Sequence, residues 1–222
     1  MRKYEFVEGD VVVSAFGEEL KRIRAVVEIP VFSVKSGDFG GYIAGNASLN
    51  HCGNAWVSGN ARVSSNARVS DNAWVSGNAL VSGNAWVSGN AVVSDNALVS
   101  GNAVVSGNAR VSGNAVVSDN AVVSGNALVS SNALVSSNAV VSDNALVSSN
   151  ARVSPITIQA LTWPVTICDQ VMTIGCQTHS LRAWDEFSDA EIAAMDYSNA
   201  LHFWRKHKDV LLALARANGR EF

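Results

Sequence analysis

Few residues of this chain have types and spacing that do chemistry, and they lie toward its two ends. His51 stands just before a long stretch, Gly53 to Ser154, that holds no histidine. An imidazole titrates near neutrality, so His51 is a candidate general base, with His179 as the alternative. Cys176 and His179 form a Cys-x-x-His pair with Cys168 and Asp169 nearby in sequence. Two ligands at that spacing are only half of a structural zinc site. A cysteine after Gly175 and an apolar strand reads first as a core thiol, so Cys176 and His179 stand as weak metal candidates and no cofactor is expected. Arg205-Lys206-His207-Lys208 is a basic run in a helical stretch. Consecutive helix positions point around the axis, so these four side chains do not share one patch. With Phe203 and Trp204 beside them for stacking, Trp204, Arg205, Lys206 and His207 are the candidates for contact with a small anionic, nucleotide-like ligand, and a solvated helix face is the alternative.

The element that must position these residues is a repeat. From Asn54 to Asn150 an Asn-Ala pair recurs every six residues, in units of [Gly/Ser/Asp]-Asn-Ala-x-Val-Ser. Ala-x-Val is a minimal strand, with Ala and Val on one side and x on the other. The Ser-Gly-Asn stretch is a corner, since Gly and Asn tolerate positive φ. Three units close a triangular coil of 18 residues, and strands of successive coils then pair in parallel. One coil cannot offset its own ordering cost by burying three valines and three alanines, but a stack can. Asp71, Asp95, Asp119 and Asp143 replace the corner glycine every 24 residues. Twenty-four is not a multiple of 18, so these carboxylates pass from corner to corner and form no single metal-binding file.

The unit Val-Ser-Gly-Asn-Ala-x resembles the hexapeptide motif of left-handed parallel β-helix proteins. Gly37-Asp38-Phe39-Gly40-Gly41-Tyr42-Ile43 and the upstream Lys21-Arg22-Ile23-Arg24-Ala25 are similar to the start of YdcK-like hexapeptide proteins of bacteria and prophages. The resemblance implies an all-β solenoid, a left-handed β-helix of about six coils. It also brings in acyl transfer, because many left-handed β-helix proteins are trimeric acyltransferases with a histidine base on a coil and acyl-CoA between subunits. This chain departs from that pattern in having no histidine after His51 on its coils and no loop leaving them.

The expected division is a small β cap over 1–44, the solenoid over 45–154 and a C-terminal strand-plus-helix module over 155–222. In the cap, Tyr4–Val7 with Val11–Ala15, and Ile23–Ile29, read as strands. In the C-terminal module Ile156–Gln159, Val165–Cys168 and Val171–Ile174 read as strands, and the chain is expected to turn helical after Gly175. Ser188-Asp189-Ala190-Glu191 is a capping box for a short helix, and Ser198 a candidate cap for a second, longer one ending near Gly219.

Residues 18 apart stack on one face of such a solenoid. Its outward positions then form three files: Trp56, Trp74, Val92, Arg110, Leu128, Leu146; Arg62, Leu80, Leu98, Val116, Leu134, Arg152; and Arg68, Trp86, Val104, Val122, Val140. Such apolar outer faces point to an interface. Trp56, Trp74, Trp86, Leu80, Leu98 and Leu134 are therefore the candidates for self-association, with a homotrimer expected. A net charge of −3 argues against bulk nucleic acid as a partner. The N-terminal residues show neither a signal peptide nor a membrane span, and three scattered cysteines form no disulfide framework, so a cytoplasmic protein is expected. The sequence thus points to a non-catalytic, homo-oligomeric binding or scaffold protein of phage or prophage type that sequesters a small anionic ligand between subunits. A hexapeptide acyltransferase is the alternative.

Overall fold

A computed structural model describes residues 2–142, 144–148, 155–158, 161–220 and 222. Asp143 and Arg152 therefore lie outside the described residues. The repeats wind into a parallel β-solenoid of about six coils, each side of which is a two-residue strand. Leu98–Val99 pairs with Leu80–Val81 below and Val116–Val117 above, an offset of 18 residues in each direction. The same offset links Trp86, Val104, Val122 and Val140 on a second side, and Trp56, Trp74, Val92, Arg110, Leu128 and Leu146 on the third. All three expected files are thus present over the described residues. The Ala and the closing Val of each Ala-x-Val unit point inward; those from Ala55 to Val135 are almost completely buried.

The corners follow a different rule from the one expected of them. Positive φ falls on the residue before asparagine, as at Gly83 (+69°), Asp95 (+61°) and Ser131 (+61°), and on no asparagine among the described residues. The asparagine side chain has another task. Its Nδ2 donates to Oδ1 of the asparagine one coil later. One file runs Asn60, Asn78, Asn96, Asn114, Asn132, with distances between 3.0 and 3.4 Å. A second runs from Asn54 to Asn144 and a third from Asn66 to Asn138. Each internal amide both donates and accepts, so the files polarise cooperatively. The aspartates are caps of the same kind. Oδ2 of Asp71, Asp95 and Asp119 accepts from the backbone N–H one coil up, at Gly89 (3.1 Å), Gly113 (3.1 Å) and Ser137 (2.9 Å). These three stand at three different corners, which is what an interval of 24 on a coil of 18 requires.

Before the coils, two antiparallel strands, Tyr4–Val13 and Glu19–Ala25, lead to Phe39–Ile43, which pairs in parallel with Arg62–Val63. They differ from the expected cap in two ways. The first strand is one element with an irregularity between Phe6 and Val11, and the second begins earlier because the hairpin turns at Gly17 (φ +80°). Together they extend one side of the solenoid while Tyr4, Ile23 and Ile29 plug its open core. Gly40 is needed for that plug: a Cβ there would sit 2.5 Å from the Ile23 side chain.

At the far end Ile156–Ile158, Val165–Ile167, Val171–Ile174 and Gln177–Ser180 form an antiparallel sheet. The fourth strand corrects the expectation that the chain turns helical after Gly175. Two helices follow, α1 (Leu181–Glu186) and α2 (Asp189–Ala217). The Ser188–Glu191 capping box is present, but the two helices expected after it are one. Ser198 lies inside α2, because nothing in that stretch breaks the helix and its apolar stripe runs on through Ile192, Phe203, Trp204 and Leu211 into one buried cluster.

The asparagine files yield a graded test. Asn96 takes part in two file bonds and Asn60, at the end of the same file, in one at 3.4 Å. At about 0.5–1.5 kcal/mol net per hydrogen bond, Asn96→Ala is expected to cost roughly 1–3 kcal/mol in denaturant unfolding, and Asn60→Ala less than half of that. Asp95→Ala, which loses the cap and keeps the positive φ, is expected to unfold more readily than Asp95→Gly, since a non-glycine residue there costs about 1–2 kcal/mol.

Candidate functional site

At the N-terminal end His51 is built into the cap. Its ring stacks on Tyr4 at 4.4 Å, and its Nδ1 accepts from the Lys3 backbone N–H at 3.2 Å. Burial, together with the positive charges of Lys3 and Arg2, holds the imidazole below its ordinary value. A neutral ring with Nδ1 already occupied is poorly placed to take a proton from an acceptor. Tyr4 is fixed in turn by its hydroxyl, which donates to the Leu49 carbonyl at 3.0 Å. Lys3 is 3% exposed, and among the described residues its Nζ reaches only the Gly53 carbonyl, at 3.4 Å. Burial pulls that ammonium down to about 8, with the Cys52 thiol acting weakly against it.

The sign of the pH effect follows. Between about pH 8 and 10.5 the unfolded chain holds a proton at Lys3 that the folded chain has released. Stability from this group therefore rises with pH across that window, and its penalty is full below pH 8. Lys3→Met removes the penalty, so the variant is expected to melt above the parent at pH 7. Its advantage should shrink as pH rises from 8 to 10; a constant difference in thermal melts would contradict the assignment.

The C-terminal candidates are separated by the helix they share. Arg205 turns back to pair with Asp189, and Lys208 donates to the Asp185 carbonyl at 2.6 Å while lying over the Trp204 ring. Lys206 and His207 point elsewhere, to a polar shelf that also includes Ser198, Asn199 and His202. Trp204 is buried in the module's core and lines a cavity of about 550 Å³ with Trp163, Trp184 and Phe203. The Trp184 indole donates to the Met172 carbonyl at 2.6 Å, whereas Trp204 Nε1 is buried and has no partner among the described residues. Cys176 is exposed at this cavity, and His179 instead packs edge-on against Trp184 and Phe187. Among the described residues no three His, Cys, Asp or Glu side chains gather as a metal site would need. Cys168 is the core thiol here, closing the end of the solenoid core, and burial pushes it up to about 12. The cavity itself was not legible in the sequence; the density of tryptophan around 163–204 was its only signal.

The interface candidates also separate. Trp56 is 1% exposed, buried under the N-terminal segment, and cannot present a face to another copy. Trp74 is half-buried because Phe32 stacks on it at 5.2 Å. The 18-residue rule placed these two correctly on the coil, but the covering turn Pro30–Phe32 carries no periodic signal. Leu80 and Trp86 remain 42% and 49% exposed, and Leu98 and Leu134 point outward, half-covered by their neighbours above and below. No helix among the described residues is long and apolar enough to cross a membrane.

Five stretches of the coils, residues 61–77, 73–89, 91–107, 105–119 and 109–125, match the family model for the YdcK Beta solenoid repeat. No curated protein matches the chain. The matches fall on the coils whose sheets, corners and asparagine files are described above, and they show that these coils are YdcK-like β-solenoid repeats.

Proposed function

We propose that the chain is a non-catalytic, homo-oligomeric scaffold of the bacterial or prophage kind, with the solenoid as its rigid assembly core. One observation carries the reading: the outward file Leu80, Leu98, Val116, Leu134, whose rungs pair in strict register and lack any charge. Four rungs at about 4.8 Å, on a side some four extended residues wide, make a face of about 260 Å². A specific interface takes about 800 Å² from each partner, so one such face is too small for a stable dimer. A closed ring in which every copy uses two of its three sides doubles the area each copy buries, and a triangular prism with a copy against two sides is the geometry of a trimer. The engaged state of His51 favours this reading over acyl transfer.

Light scattering is expected to return three chain masses at micromolar concentration. Leu98→Lys with Leu134→Lys should shift the particle to one chain mass while leaving the far-ultraviolet circular dichroism unchanged. A parent protein that scatters as a single chain would overturn the proposal.

A further inference from the structure

Two tryptophans of the coils are held in the same way, and only one of them is covered. Trp74 Nε1 donates to Ser58 Oγ at 2.9 Å and Trp86 Nε1 to Ser70 Oγ at 3.2 Å, in both cases 16 residues back, on the coil below. Phe32 stacks on Trp74 at 5.2 Å, with the ring planes 23° apart. Trp86 is 49% exposed, and among the described residues no ring stacks on it. The same rung thus gives one indole closed by the chain itself and one whose face is open.

Trp86 lines an open cleft of about 830 Å³ that spans three rungs of its side, a volume within the range of small-molecule sites. At the lower end Leu49 pairs with Val69 at an offset of 20, two more than the 18 of the other rungs, and there Asn50 and His51 enter the lining. The polar groups beside the open indole are already fixed. Ser70 Oγ, which holds Trp86, donates onward to Asp71 Oδ2 at 3.2 Å, and the same oxygen accepts from the Gly89 N–H. Asp71 Oδ1 is left without a partner among the described residues. At the other end of that strand Asn66 Nδ2 gives one hydrogen to Asn84 Oδ1 at 3.1 Å and keeps the second. Arg68, paired one rung below Trp86, is exposed and has no carboxylate within ion-pair distance among the described residues. His51 accepts at Nδ1 from the Lys3 N–H, so its own hydrogen is on Nε2.

We infer that this cleft binds a neutral saccharide, with one pyranose face stacked on Trp86 and ring hydroxyls on Asp71, Arg68 and the asparagine amides. A pyranose has an apolar C–H face and a rim of hydroxyls that both donate and accept, which matches one open indole face with an acceptor at one edge and donors at the other. One guanidinium and one carboxylate cancel, so nothing in the lining draws an ion. A flat ring without hydroxyls would use the indole and leave those donors and acceptors unmatched. A second copy seated here would have to bury Arg68 and Asp71. Three rungs at about 4.8 Å give the cleft a rise of about 10 Å, room for two sugar rings. The site lies within one chain, on a different side of the prism from the Leu80 file, and does not depend on the assembly proposed above.

Nuclear magnetic resonance of the full chain with isotope-labelled tryptophan reads the site directly, because each of the six tryptophans gives its own indole N–H signal. The Trp86 signal is assigned by its loss in Trp86→Phe. The probes are maltose, lactose and diacetylchitobiose, with glycerol as a polyol control and adenosine 5′-monophosphate as a planar anion. At least one disaccharide is expected to move the Trp86 signal along a saturating curve and to leave Trp74, closed by Phe32, in place. Glycerol should move neither. Variants are followed by saturation transfer from protein to sugar. Trp86→Ala, at an exposed position, should weaken binding by roughly tenfold or more. Asp71→Asn keeps an oxygen for the Gly89 N–H and loses the carboxylate, and should weaken it by about 2- to 12-fold. Leu98→Lys with Leu134→Lys should leave it unchanged, so that failure of the assembly and failure of the site are told apart. No response of Trp86 to any disaccharide at tens of millimolar, an equal response to glycerol, saturation by the nucleotide alone, or a Trp86→Ala variant that binds sugar as the parent does, would each overturn the inference.

Discussion

An offset of eighteen residues places one side chain directly above another, and the solenoid depends on that single relation. The backbone obeys it first: Leu98 N–H donates to the Ala115 carbonyl, Ser100 N–H to Val117 and Asn102 N–H to Asp119, all within 2.6–2.9 Å. Once those bonds fix the rise, alanine and valine have a place only in the core, because a two-residue strand leaves no room for register slip. The asparagine files and aspartate caps then add side-chain bonds at the same spacing. Hydrophobic burial alone would let neighbouring coils slide; amides stacked at the corners do not.

A stack of coils has two raw ends, and each is an unpaired sheet edge and an open core. The chain closes them by different means. At the start an antiparallel hairpin adds strands to one side and inserts Tyr4 and Ile23 into the core. The cost shows in Lys3, whose ammonium is buried beside the plug with one distant carbonyl for company. At the other end a separate small sheet delivers Cys168 to the core, and Thr157 donates to the Val140 carbonyl at 2.9 Å. That second closure carries the aromatic cavity with it.

Much of the fold was legible because it is periodic. The coil length, the three outward files and the wandering aspartates all follow from counting sixes. What the count could not supply was the use of each polar group. Asparagine was read for its tolerance of positive φ, yet it is the preceding residue that takes that conformation and asparagine that bonds upward. Both uses give the same residue at the same spacing, so sequence alone does not separate them. The non-periodic segments hid more. The turn Pro30–Phe32 covers Trp74, Trp56 is buried within the same chain, and α2 runs through Ser198 because capping residues are equally at home on an exposed helix surface. The candidate ligand residues are split by the helix they share: Trp204 is buried in the core of the C-terminal module, Lys206 is exposed, and Arg205 between them turns back to Asp189.

The mismatch between the 24-residue aspartate interval and the 18-residue coil has a consequence for how such a chain changes length. Gain or loss of one 24-residue unit keeps every hexad in phase, so the core and the amide files close without a defect. It does not keep the module that follows in place. Four sides are one whole coil and one side more, so the C-terminal sheet and helices would rise by about 6 Å and swing a third of a turn around the axis. Relatives that differ by a single unit would then present the same end module from a different side of the prism, and only three units together restore the original aspect. Length in this architecture is thus also an angular setting.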